Sequence, residues 1–172
     1  MKLIRTIQLD ASDLSVFARA ATPGEWAVSG AFMFWEQPAE TLLGKERQAF
    51  RNGFLGIASL GWSTFAIVSE ASAEERAGAV EALALKLVSN FGAPSLEMAR
   101  DAAEQEIAYA EHLAEAAVGT LVAVERSVED GEIRERLRTV LPTGDAMHNR
   151  AFEIVPDEGE SNLAALVREA KL

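Results

Sequence analysis

Asp130-Gly131 lies between two segments, 120–128 and 132–141, that read as strands. Asp-Gly is a preferred central pair of the two-residue type I′ turn, whose backbone needs positive φ at both positions and whose twist matches that of paired strands. With those two residues at the bend, the register follows: Val128 opposes Ile133, Arg126 opposes Glu135, Glu125 opposes Arg136 and Val124 opposes Leu137. Two opposite-charge pairs and two apolar pairs form together, each contributing about 0.2–1 kcal/mol. A slip of one residue would lose all four and turn the apolar side chains to the wrong face. A chain containing this signal must build an antiparallel sheet around it.

Helix signals stand immediately upstream. Ser72-Ala73-Glu74-Glu75 has the spacing of a capping box, in which the Ser72 hydroxyl accepts from the Glu75 backbone N–H and the Glu75 carboxylate reaches back. Val80, Leu83, Ala84, Leu87, Val88 and Phe91 then recur at helical spacing until Gly92-Ala93-Pro94 ends the run. Ser95 starts a second helix over 96–117, with Leu96, Ala99, Ala103, Ile107, Ala110, Leu113 and Ala117 on one stripe. So short a connection makes the two helices an antiparallel pair.

The first 35 residues read as a meander of three strands: 2–9, 14–19 and 25–35, separated by Asp10–Asp13 and by Thr22-Pro23-Gly24, with Gly30 marking a bulge or a close approach. A polar helix over 41–52 follows, with Gly53 as a left-handed cap. Next come a glycine-broken loop or irregular strand over 54–62 and a buried strand at 63–70. Beyond the hairpin, Pro142–Asp145 breaks the chain, 150–155 forms a strand, 156–160 an acidic loop, and Ser161 caps a terminal helix. The expected architecture is a single α+β domain over residues 1–172: a mainly antiparallel sheet with the Ser72–Ala117 helical hairpin packed on one face.

Composition excludes several chemistries. Cysteine is absent, so there is no disulfide, thiolate nucleophile or Cys-ligated metal. A formal net charge of −11 repels phosphate backbones and anionic lipid, which argues against nucleic acid and membrane as partners. No apolar run is long enough to span a bilayer, and Gln8, Asp10 and Asp13 interrupt the start where a signal peptide would be apolar; a cytoplasmic protein is expected. The preference for Arg over Lys, 12 to 4, and the 31 alanines point to a GC-rich bacterial source.

Catalytic signatures are missing. The glycines at 53, 56 and 61 fit neither a phosphate loop nor a dinucleotide fingerprint, and Ser63 lacks the second glycine of a nucleophile elbow. The two histidines, His112 and His148, have no motif around them. Glu104, Glu111 and Glu115 share a helix face near His112, but the paired Glu-x-x-His of helix-bundle metal sites is absent. No catalytic residue, metal or cofactor is assigned.

Two binding constellations remain. Eight of the 12 aromatic residues fall between Trp26 and Phe65. In a regular strand Phe34 and Trp35 point to opposite faces, so one needs cover from a helix, a partner or a ligand. An apolar pocket or groove floored by Phe32 and Phe34 and gated by a mobile Gly56–Gly61 loop would draw on Trp26, Phe34, Trp35 and Trp62. The second constellation is Arg134, Arg136 and Arg138, which alternate along one strand and therefore share a face. Arg136 is matched by Glu125, which leaves Arg134 and Arg138, about 13 Å apart along the strand, for an acidic partner or for acids elsewhere in the chain.

Several segments carry a family resemblance: Met1–Ile7 with Leu9-Asp10, Pro23–Val28, Arg47–Arg51 through Gly53–Gly56, Gly61–Thr64 and Asp130–Arg136. Together they resemble an uncharacterised bacterial domain-of-unknown-function family of about this length, over nearly the whole chain. That resemblance implies no activity and supplies no catalytic residues; such proteins resemble accessory partners of redox enzymes more than enzymes. The expected function is a non-catalytic binding or accessory protein that holds a protein partner or its own copy through the aromatic region, with the Arg134/Arg138 face as a further contact. The alternative is a small-molecule-binding protein or enzyme with an enclosed pocket near Trp26, Phe34 and Trp62.

Overall fold

The computed structural model describes residues 1–142 and 152–161. Among them, eight strands form one curled sheet: β1 (Lys2–Ile7), β2 (Trp26–Val28), β3 (Phe54–Gly56), β4 (Trp62–Ser63), β5 (Phe65–Glu70), β6 (Leu121–Glu129), β7 (Glu132–Pro142) and β8 (Phe152–Ser161). Their spatial order is β4-β3-β2-β1-β5-β6-β7-β8, and every neighbouring pair is antiparallel. Four helices complete the α+β fold: α1 (Ser12–Val16), α2 (Gly44–Asn52), α3 (Ala73–Phe91) and α4 (Leu96–Leu113).

The hairpin forms in the register its turn dictates. Asp130 and Gly131 have φ of 53° and 79°, and the ladder runs from Glu129 opposite Glu132 to Leu121 opposite Val140. The helical hairpin also forms, although its second helix ends at Leu113 rather than at 117. Ser72 and Glu75 make both bonds of the capping box, Gly92 ends α3 at φ 69°, and Ser95 accepts from the Met98 N–H at α4. Ser72→Ala removes one half of that box and should cost about 1 kcal/mol in urea unfolding. α3 packs along α4, and α4 lies against β1 and β2. One apolar core runs from Leu3 and Ile4 through Phe54 and Leu55 to Leu83, Ile107 and Leu113.

Several segments differ from their sequence reading. Residues 14–19 are not a strand: α1 occupies 12–16, entered where the Asp10 carboxylate accepts the Ser12 N–H at 2.7 Å. The Asp-Ser-Asp cluster taken for a turn is thus a helix start. Residues 25–35 form a strand only at 26–28. Gly30 then turns to φ 79° and residues 31–34 wind into a 3₁₀ turn. The helix expected from 41 is a 3₁₀ turn at 39–41 followed by α2 from Gly44, and Gly53 is extended (φ −96°, ψ 135°) rather than left-handed. Gly53 is small for a different reason: a Cβ there would meet Trp62 at 2.6 Å. Residues 156–160 continue β8 and pair with β7 instead of looping out. The turn at 143–145, His148 and the helix beyond Ser161 lie outside the described residues.

Candidate functional site

The hairpin register carries one pair to an unexpected place. Alternation along β6 puts Arg126 on the same face as Val124 and Val128, and along β7 it puts Glu135 with Ile133 and Leu137. That face turns toward α2 and α4. Arg126 and Glu135 are each only 2% exposed.

Two charges in such a place survive only when paired and hydrogen-bonded. The Arg126 Nε–H donates to Glu135 Oε1. Its Nη1 group donates to the carbonyls of Phe50 at 2.9 Å, Gly53 at 2.8 Å and Ala49 at 3.3 Å, at and just beyond the C-terminal end of α2. Its Nη2 group donates to the Ser29 carbonyl, and to Ser29 Oγ at 3.2 Å. Glu135 in turn accepts from Ser29 Oγ, and from the Tyr109 hydroxyl of α4 at 2.8 Å. One ion pair thereby joins the hairpin to α2, to the end of β2 and to α4.

Glu106 stands one helical turn before Tyr109 on α4, beside this pair. Burial, and then the negative charge of Glu135, push its pKa up to about 8, against the opposing pull of Arg126. Sequence reading missed this group because it lies one residue off the apolar stripe of α4. The signal was a glutamate flanked by Ala103, Ile107 and Ala110, all buried.

The aromatic residues singled out in the sequence separate. Phe34 and Trp62, each 8% exposed, lie in the core with ring centroids 5.4 Å apart, and Phe50 meets Phe34 edge-on. The residues expected to line a pocket here fill space instead. Trp26 is half-buried on another face, with the Arg5 guanidinium 3.3 Å above its ring. Trp35 follows Phe34 out of the 3₁₀ turn and is 53% exposed. The reason is geometric: in a 3₁₀ turn adjacent side chains diverge around an axis, so Phe34 enters the core while Trp35 leaves it.

The Gly56–Gly61 segment is a pinned turn. The Glu25 carboxylate accepts from Ala58 N at 2.6 Å, Ser59 N at 2.8 Å, Ser59 Oγ at 2.5 Å and Thr22 N at 2.8 Å, and the Gly56 N–H donates to the Gly61 carbonyl. Glu25→Ala should cost about 2 kcal/mol and speed amide exchange at Ala58 and Ser59, both measurable in one exchange experiment.

On the outer face of the hairpin the arginines differ in partner from expectation. Arg138 takes Glu125, at 2.5 Å along the diagonal, while Arg134 lies 3.3 Å from Glu129. Both guanidinium groups are matched by acids of their own hairpin. On the helices, Arg76 bridges Glu104 at 2.6 Å and Glu111 at 3.1 Å, and His112 Nδ1 lies 2.5 Å from Glu115. A surface hollow of about 420 Å³ is lined by Leu9, Asp10, Ser12, Asp13 and Phe65, but Asp13 is already engaged by Thr64. Among the described residues no helix is long and apolar enough to cross a membrane.

No curated protein and no solved structure matches the chain. A family model described as a family of unknown function, DUF6505, matches residues 1–158, and the chain belongs to that family.

Proposed function

We propose that the chain is a non-catalytic binding protein of the bacterial cytoplasm that holds a protein partner through the surface around Trp35. The observation that carries this reading is the exposure of Trp35, 53%, on a backbone fixed by the buried Phe34 beside it. An exposed tryptophan on a rigid base presents a large apolar area with little entropy left to lose, which is the profile of interface anchor residues. Leu43, 72% exposed at the start of α2, adds a second apolar side chain to the same stretch of chain. Acidic and basic residues (Glu36, Glu40, Lys45, Glu46 and Arg47) surround them in sequence and are themselves exposed, as in a polar rim. Arg134 and Arg138 contribute less, because Glu129 and Glu125 already hold them.

A photo-crosslinking residue at position 35, in the intact protein inside its native cells, identifies the partner. Trp35→Ala should then weaken binding of the purified partner by about thirtyfold or more, leaving the urea midpoint unchanged. Arg134→Ala with Arg138→Ala should change affinity by less than about threefold. An affinity unaltered by Trp35→Ala contradicts the reading.

The alternative, a small-molecule protein, is favoured by one observation: a carboxyl with a raised pKa, Glu106, beside a second carboxyl held by an arginine. Acid–base sites use such pairs. A metabolite that raises the melting temperature of the wild type but not of Glu106→Gln would support it.

A further inference from the structure

Carboxylates outnumber cations in this chain, 27 to 16, so a cation without an acid is more informative than an acid without a cation. Among the described residues, Arg5, Arg76, Arg100, Arg126, Arg134 and Arg138 each hold a carboxylate, and Lys2 and Arg19 reach backbone carbonyls. Lys45, Arg47, Arg51 and Lys86 hold neither, and three of these four belong to the nine residues of α2. All three are exposed. Arg51 lies in the last turn of α2, where a helix end favours positive charge, but that does not account for Arg47 a turn earlier. Arg47 and Arg51 share one helix face, about 40° apart around the axis and about 6 Å apart at Cβ. Glu46, the acid of the same helix, is turned about 100° from Arg47 and about 140° from Arg51. Glu36 and Glu40 lie outside α2, and no ion pair joins them to it.

The apolar anchors adjoin this helix. Leu43 is the residue before α2, and Phe34, next to Trp35, meets Phe50 of α2 with ring centroids 5.4 Å apart. Arg126 holds the C-terminal end of α2 through the Phe50 and Gly53 carbonyls, so the arginines stand on a fixed base. We infer that α2 is the charged half of the Trp35 docking surface and that its occupant is an acidic segment of the partner protein: Arg47 and Arg51 take carboxylates while Trp35 and Leu43 take apolar side chains. The inference rests on the Trp35 reading and adds the partner's chemistry to it. Guanidinium binds carboxylate through two parallel hydrogen bonds, a geometry that these free side chains are able to offer. A long phosphate polymer would meet the field of the −11 net charge along its length. A short acidic segment meets the local cations, because charges beyond about 8 Å are largely screened at physiological salt.

Association kinetics with the partner captured at position 35 test this. Raising ionic strength from about 0.05 M to about 0.5 M should slow association of the wild-type protein about tenfold. Arg47→Glu with Arg51→Glu should slow it by about tenfold or more at the lower salt and abolish the salt dependence. Both residues are exposed, so the urea midpoint of that variant should match wild type. Trp35→Ala should act instead on dissociation. Poly-L-glutamate should compete with the partner. An association rate that the double reversal leaves unchanged, while Trp35→Ala still weakens binding, overturns the acidic occupant and keeps the docking surface. A loss on the double reversal with none in Trp35→Ala overturns the Trp35 reading and leaves α2 as the surface. Competition by RNA but not by polyglutamate would put nucleic acid in place of the acidic segment and overturn the inference.

Discussion

Arg126→Leu should lower folding stability by about 3–5 kcal/mol, a large share of the ~5–15 kcal/mol that holds a domain of this kind together. The substitution leaves Glu135, 2% exposed, as a buried carboxylate facing Ser29 and Tyr109 with no cation. It also removes the side-chain donor from the carbonyls of Phe50, in α2, and Gly53, just beyond it. Burying leucine returns only part of this, because the missing hydrogen bonds lie on three separate elements. Equilibrium urea unfolding followed by tryptophan fluorescence measures the loss. Arg126→Lys should lie close to leucine rather than to wild type: one ammonium cannot reach a helix end, the Ser29 carbonyl and Glu135 at once.

Gly30→Ala is expected to cost about 3 kcal/mol. Two effects add. The backbone at Gly30 has φ 79°, where any side chain is strained, and a Cβ there would lie 2.6 Å from the Leu55 Cβ and 2.9 Å from the Trp62 ring. Neither neighbour can give way, since both are core residues, and moving Gly30 drags Ser29 off Arg126 and Glu135. Gly78→Ala is the matched control. Gly78 lies inside α3 with nothing within 4 Å of a new Cβ, so the change should stabilise by about 0.5–1 kcal/mol. Opposite signs from the same substitution, read as urea midpoints, would separate the two environments.

Local signals with one physical interpretation were legible in the sequence. Asp130-Gly131 fixed the ladder because both residues must take positive φ, and Ser72 with Glu75 fixed the start of α3 because only that spacing closes both capping bonds. The misread segments were those in which tertiary contacts outweigh propensity. Residues 31–34 are rich in strand-forming aromatics, yet they wind into a turn because Gly30 reverses the chain and Ser29 Oγ accepts the Ala31 N–H at 3.2 Å. Helix α1 is too short to show a period, and its Asp13 is held by Thr64, which is remote in sequence. The Arg126–Glu135 pairing was read correctly, but its depth was not. Arg126 and Glu135 shared their face with Val124, Val128, Ile133 and Leu137, and that alternation already pointed them inward. Nothing local announced the α2 carbonyls that make burying a guanidinium tolerable. Trp35, by contrast, is exposed because the strand through it ends early, a consequence that depends on recognising Gly30 as a reversal rather than a bulge.

The decisive measurement is a double-mutant cycle on the sealed ion pair: Arg126→Leu, Glu135→Leu and both together, each by urea unfolding. If guanidinium and carboxylate neutralise one another inside the fold, either single change strands a charge and the second relieves it. The double variant should then be more stable than Arg126→Leu alone, with a coupling energy of at least about 2 kcal/mol. Losses that simply add, within about 0.5 kcal/mol, would mean that the two side chains do not meet in a dry interior.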